Sequence, residues 1–395
     1  MKKRKAALPL LLLVTLFCRP KPKNRQKDAL FAIGTDFDGK FDEKKNQVIF
    51  ALLRKPKNGF TEQKRKTSLF PFMTRTLLLA LLLCLSNYGV SLAQGTFRWN
   101  SSTGNDWQIG ANWFLESGTD DGGNGYPDGN DNALFDGSSP TPGGPLTNIP
   151  AWDGNFTING FTGTVQIGAN FECNGTVTLT TGTLQVNSSV NFSAGTLTIN
   201  GGTLTLNNPG DQHNLGTVSL SSGTFNGPSS GNVGVATITQ SGGTFNAGGA
   251  QYQFDDVEAT STTPINTTVF DRTGGTFNAG TSSFTVTART SGSGDRSATA
   301  TLNTSVATTF NNLIINATNS GSGGTRTRVV AFTGSGIFTI AGTLKREGNL
   351  TNVTGTNLEY ATGATLVYNL SVNSNPFAEW PASSGPTNVT KQDAN

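Results

Sequence analysis

A chain of 395 residues with a single histidine, His213, has no room for His-based catalytic triads or multi-histidine metal sites. Its three scattered cysteines exclude a disulfide framework and a four-ligand zinc site, and 13% charged with 35% hydrophobic residues fits neither a membrane bundle nor an ordinary helical enzyme. The formal charge of +3 joins two unlike pieces: residues 1–72 hold 18 basic and 6 acidic groups, the rest of the chain 10 and 19, so the balance predicts no nucleic-acid partner.

Residues 1–72 form a basic leader. Their apolar run, Ala6 to Cys18, is flanked by Lys2-Lys3-Arg4-Lys5 on one side and by Arg19, Lys21 and Lys23 on the other. That pattern gives neither a membrane orientation nor a cleavage site, and reads as a start assigned upstream of Met73 or as a disordered leader. Residues 73–93 carry the marks of a signal peptide: a positive n-region at Met73-Thr74-Arg75, an apolar core from Leu77 to Leu85 too short to span a bilayer, and Ser91-Leu92-Ala93 before Gln94. The expectation is an exported mature chain, extracellular or on the outer cell surface, with no stable transmembrane segment.

Residues 94–158 are rich in tryptophan, aspartate and glycine. Trp99, Trp107 and Trp113 fall close together. They read either as a sugar-stacking platform or, with more weight, as a hydrophobic plug over the first coil of a repeat stack. Asp120, Asp121, Asp128, Asp131 and Asp136 supply hard oxygens of the kind calcium takes. Their spacing matches neither an EF-hand loop nor the Gly-Gly-x-Gly-x-Asp nonapeptide, so a solvated turn is the alternative. Apart from calcium, no cofactor is expected.

From about residue 159 a unit recurs: Gly-Thr, then an apolar, a polar and an apolar residue. Examples are Gly175-Thr176-Val177-Thr178-Leu179, Gly195-Thr196-Leu197-Thr198-Ile199 and Gly202-Thr203-Leu204-Thr205-Leu206. Period-two alternation between glycine corners predicts short strands with one buried face. One set of glycines falls at 175, 195 and 216, and another at 182, 202, 223 and 243, so both advance by a nearly constant step. Strands start several times within each step, so the period predicts an all-β fold, a right-handed parallel β-helix of ~20–21 residues per coil over 159–375. Glycine belongs at the corners because the chain turns there, often with positive φ. The longer interval between Gly243-Thr244-Phe245-Asn246 and Gly275-Thr276-Phe277-Asn278 predicts projecting loops. Residues 376–395 read as the start of a further, truncated repeat.

Candidate chemistry is sparse. A lyase needs clustered Lys or Arg, yet Lys345 and Lys391 are the only lysines after residue 72. Asp255-Asp256 has the composition of a glycosidase pair, but adjacent residues of one strand face opposite ways. His213 is expected in a gap between strands and Cys173 as a small buried hydrophobe. Outward Thr176/Thr178, Thr196/Thr198 and Thr203/Thr205 rows have the chemistry to order water, although threonine is also a good strand residue.

Trp99…Trp107…Asn112-Trp113, followed by Pro127 and Asp131-Asn132-Ala133-Leu134-Phe135, resembles the opening module of secreted β-helix repeat proteins of Gram-negative bacteria. These are autotransporter-passenger-like and adhesin-like proteins, including type IX secretion cargo. Phe310-Asn311-Asn312-Leu313-Ile314-Ile315, Leu366-Val367-Tyr368, Glu379-Trp380-Pro381 and Gly385-Pro386-Thr387-Asn388-Val389-Thr390 extend the resemblance over nearly all of 94–395. It implies the fold and export through secretion machinery, and a non-catalytic structural or adhesin-like role presenting loops to an extracellular glycan or to a host or neighbouring cell surface. It names no ligand. A polysaccharide-acting enzyme and an ice- or surface-binding solenoid are the rival expectations.

Overall fold

The computed structural model describes residues 94–120, 122–207, 212–370 and 377–393. The chain divides into two compact units, Met1–Cys84 and Leu85–Asn395, and all described residues belong to the second. The leader and signal segments read from residues 1–72 and 73–93 lie outside the described residues.

The second unit is all-β. Its 24 strands join in one long, mostly parallel sheet, a pairing compatible with a β-solenoid. The alternation seen in the sequence supplies the cause: every second residue of a strand turns inward and meets its equivalent one rung away. One inward column runs Phe97, Ala133, Phe156, Val177, Leu197, Val218, Ile238, Phe270, Leu302, Phe332 in continuous parallel register. All ten are buried, none more than 2% exposed. A second column, Val165, Leu184, Leu204, Phe225, Phe245, Phe277, brings Phe225 to 4.4 Å from Phe245 and Phe245 to 5.5 Å from Phe277 in stacked pairs. Burying one such side chain contributes about 1.5–3 kcal/mol, so the columns are the main cohesive element.

The rungs start at the first described strand. Thr96–Trp99 pairs in parallel with Asn132–Asp136, and that strand with Phe156–Asn159, so the sheet continues without a break across residues 158 and 159. Thr96–Trp99 also pairs with Trp113–Ser117, the one antiparallel ladder among the described strands.

The two glycine series do different work. Gly182, Gly202, Gly223, Gly243 and Gly275 all have positive φ, between 60° and 80°, as expected for corners. Gly175, Gly195 and Gly216 do not; a Cβ on Gly195 would lie 2.0 Å from the carbonyl oxygen of Asn174. There glycine is required by close approach of neighbouring rungs rather than by the turn.

The step between rungs lengthens beyond Ile238, whose successors in the first column are Phe270, Leu302 and Phe332. The added residues do not all project as loops. Val257–Ala259 enters the sheet beside Ser283–Thr290, and Ala259, Ala288 and Ala298 form a small apolar cluster. These strands broaden the rung because the inserted sequence keeps its own period-two alternation. At the far end Asn388–Asp393 pairs in parallel with Thr365–Leu370, the strand a further repeat would supply.

Candidate functional site

The tryptophans read as a plug or a sugar platform lie in the interior. Trp99 and Trp107 are wholly buried and Trp113 is 6% exposed. Trp113 packs edge-on 5.0 Å from Trp99 and 4.7 Å from Trp107, and Phe135 stacks on Trp99 at 5.7 Å. Their indole N–H groups donate to backbone carbonyls: Trp99 to Ser101, Trp107 to Pro127 and Trp113 to Trp107. Ring faces and donors are both engaged inside, as in a packed core. Trp152, which the sequence did not single out, belongs to the same cluster, 5.0 Å from Trp107.

Beside this cluster the fold gathers three of the five candidate carboxylates. One ligand oxygen each from Asp120, Asp128 and Asp131 lie within 4.8 Å of one another. Asp120 accepts the backbone N–H groups of Gly123 and Gly125, each at 2.7 Å. The Asn124 side-chain amide donates to Asp128 at 2.5 Å, and Gly95 N–H donates to the wholly buried Asp131 at 2.7 Å. The carboxylates therefore fold the loop and pin it to the first rung, and their hard oxygens can also hold a divalent cation such as calcium. Asp136 stands apart, accepting from Ser138 N–H and Ser139 Oγ with Arg98 beside it. Asp121 lies outside the described residues.

Asp255 and Asp256 sit in the bend between Gln251–Phe254 and Val257–Ala259, both exposed, rather than on one strand. Asp256 and Glu258 each lie 3.5 Å from Arg289, an arrangement that balances surface charge. Cys173 is buried as expected; its thiol donates to Gly154 O, and burial pushes it up to about 12, so it is no thiolate nucleophile. A groove of about 350 Å³ is lined by Ser188, Thr205, Leu206, Asn207, Gly227 and Ser229, with no acid or base among them.

His213 is not a loop residue. It lies in the strand Gln212–Asn226, wholly buried, paired beside Val233. Three arginines are buried as well: Arg272, Arg328 and Arg346 are 5%, 8% and 0% exposed. Arg272 donates to Gly275 O, Ala307 O and Thr308 Oγ1, and Arg328 to Asn349 O and Thr290 Oγ1.

The outer faces are regular. Thr164, Thr183, Thr203, Thr224, Thr244 and Thr276 form one in-register column. Thr176, Thr196, Thr217 and Thr237 form another, flanked by Thr178, Thr198, Ser219 and Thr239. An amide ladder links Asn226, Asn246 and Asn278 at 2.7 Å per step. Among the described residues no helix is long and apolar enough to cross a membrane.

Comparison with known protein families, with curated proteins and with solved structures found no match.

Proposed function

We propose that this chain is a secreted or cell-surface, right-handed parallel β-helix, with residues 94–158 as its N-terminal cap, acting as a non-catalytic structural or adhesin-like protein. The observation that carries the reading is the ten-rung buried column from Phe97 to Phe332. Apolar side chains fill the interior, and the outside is left as long rows of hydroxyls and amides. Such rows suit many weak, repeated hydrogen bonds to a glycan or a cell surface better than one tight small-molecule site. The sorted acids support the same reading, because Asp120, Asp128, Asp131 and Asp136 hold loop contacts and Asp256 pairs with Arg289.

The test is binding of the purified chain to glycan arrays and to cells, together with assay of the glycans for reducing ends or unsaturated products. Binding without product formation supports the adhesin-like role; product formation that is lost in Asp255→Asn or Asp256→Asn replaces it with the enzymatic one. Mapping the first residue of the exported chain to Gln94 tests export.

The two adjacent hydroxyl columns favour one second reading, a face that orders water. Inhibition of ice recrystallisation, abolished by Thr198→Lys and Thr217→Lys, would establish it. Growth of ice crystals unaffected by the wild-type chain would remove it.

A further inference from the structure

The only histidine of the chain makes a cross-rung contact that a protonated ring cannot make. Phe192 N–H donates to His213 Nδ1 at 3.1 Å, and His213 Nε2 lies 3.0 Å from Asn207 O. The first contact requires a bare Nδ1 and the second a proton on Nε2, so the ring is held as one neutral tautomer. The backbone ladder between Phe192–Leu206 and Gln212–Asn226 begins only one residue later, at Ser193 and Asn214. The imidazole therefore stands in for a ladder hydrogen bond.

We propose that His213 is an acid-sensitive latch of the rung built from Phe192–Leu206 and Gln212–Asn226: a proton on Nδ1 sets it against the Phe192 N–H and releases this corner. The proton comes from solvent and no bond other than hydrogen bonds changes.

Among the described residues no inward charge offsets the effect. The inward neighbours, Phe192 on one side and Val233 on the other, are apolar and buried. Gln212 and Asn214 flank the ring in sequence and are uncharged, and Glu172, on the strand Phe171–Leu179 one rung further away, is exposed. Asp211 lies outside the described residues. Burial lowers the His213 pKa from the ordinary 6.5, and the Asn207 carbonyl opposes this only in part. The sign follows: an opened rung binds the proton more readily than a closed one, so closure is complete above 6.5 and weakens as pH falls below it.

The experiment is hydrogen–deuterium exchange of the full chain at about pH 7.5 and about pH 5, corrected for intrinsic exchange. Titration of one group with an ordinary value of 6.5 can raise local opening by at most about thirty-fold at pH 5. Peptides covering 190–207 and 212–220 should lose protection by up to that factor while 308–347 do not change, and His213→Phe should remove the dependence. His213→Gln, which keeps an acceptor without titrating, serves if the phenylalanine variant does not fold. The inference is overturned if the wild type shows equal protection at both pH values, if all rungs lose protection alike, or if a folded variant keeps the dependence. A carbon-bound ring proton that titrates at or above 6.5 in NMR also overturns it.

Discussion

Arg346 and Glu379 form an ion pair in which both side chains are wholly buried. Arg346 occupies an inward position, in register with Ile315 on one side and Tyr368 on the other. Glu379 reaches it from the final described segment, accepting Phe377 N–H at 3.1 Å while the Phe377 ring lies 5.1 Å from the guanidinium. A charge replaces an aliphatic residue where the stack approaches its last described strand, and the segment that follows brings the counter-charge.

Removing one partner leaves a buried charge uncompensated, at about 3–5 kcal/mol, whereas replacing both with apolar groups is often near neutral. Glu379→Ala is therefore expected to loosen residues 377–393, read as faster limited proteolysis there and a lower unfolding midpoint. Arg346→Met with Glu379→Leu should recover most of the loss. A single variant as stable as wild type would mean that the pair contributes nothing to docking this segment.

The phenols above this pair give a pH signature. Burial, with the Glu379 charge adding to it, pushes Tyr368 up to about 12, and the same causes raise Tyr360. Burial alone raises Tyr252. A phenol that resists ionisation in the fold stabilises it fully below the unfolded value of about 10, and that stability is lost as pH rises from there towards the folded value. Ultraviolet difference titration should show three of the five tyrosines ionising later than an ordinary phenol, above about pH 10. Ionisation of all five as ordinary phenols in a folded chain would contradict the packing.

The period of the stack was legible because strand alternation and glycine spacing are local facts repeated many times. Gly182, Gly202 and Gly223 announce one corner per rung, and the ladder follows them. His213 was misplaced because Gln212 and Asn214 look like turn residues, yet it shares parity with the inward Leu215 and stands one step of the stack before Val233. The carboxylates were legible only as a group; that Asp120, Asp128 and Asp131 converge while Asp136 does not depends on the path of one loop. The meeting of Arg346 with Glu379 had no signal, since they lie far apart in sequence and nothing local to either predicts it.

Trp107 tests the reading of the aromatic cluster. It is wholly buried, its N–H donates to Pro127 O at 2.8 Å, and Trp113, Trp152 and Phe156 surround it. Trp107→Ala should cost about 3–5 kcal/mol, the range for a large aromatic removed from a core. The loss should appear as exposure of residues 96–136 in hydrogen exchange and red-shifted tryptophan fluorescence. A variant of wild-type stability with altered glycan binding would instead place the ring in a ligand site.

Gly223 combines the two roles of glycine in the stack. Its φ is +80°, and a Cβ there would lie 2.5 Å from Gly202 O and 2.6 Å from Gly201 C. The left-handed backbone alone penalises alanine by about 1–2 kcal/mol, and the contact with fixed backbone of the next rung adds to it. Gly223→Ala should therefore lower the thermal midpoint clearly, and more than one site should feel it because rungs stabilise one another through nearest-neighbour contacts. Gly385, with no atom within 4 Å of the position a Cβ would take, is the matched control, and Gly385→Ala should change stability by less than about 0.5 kcal/mol. Equal effects at the two sites would mean that the corner glycines do not set the spacing of the rungs.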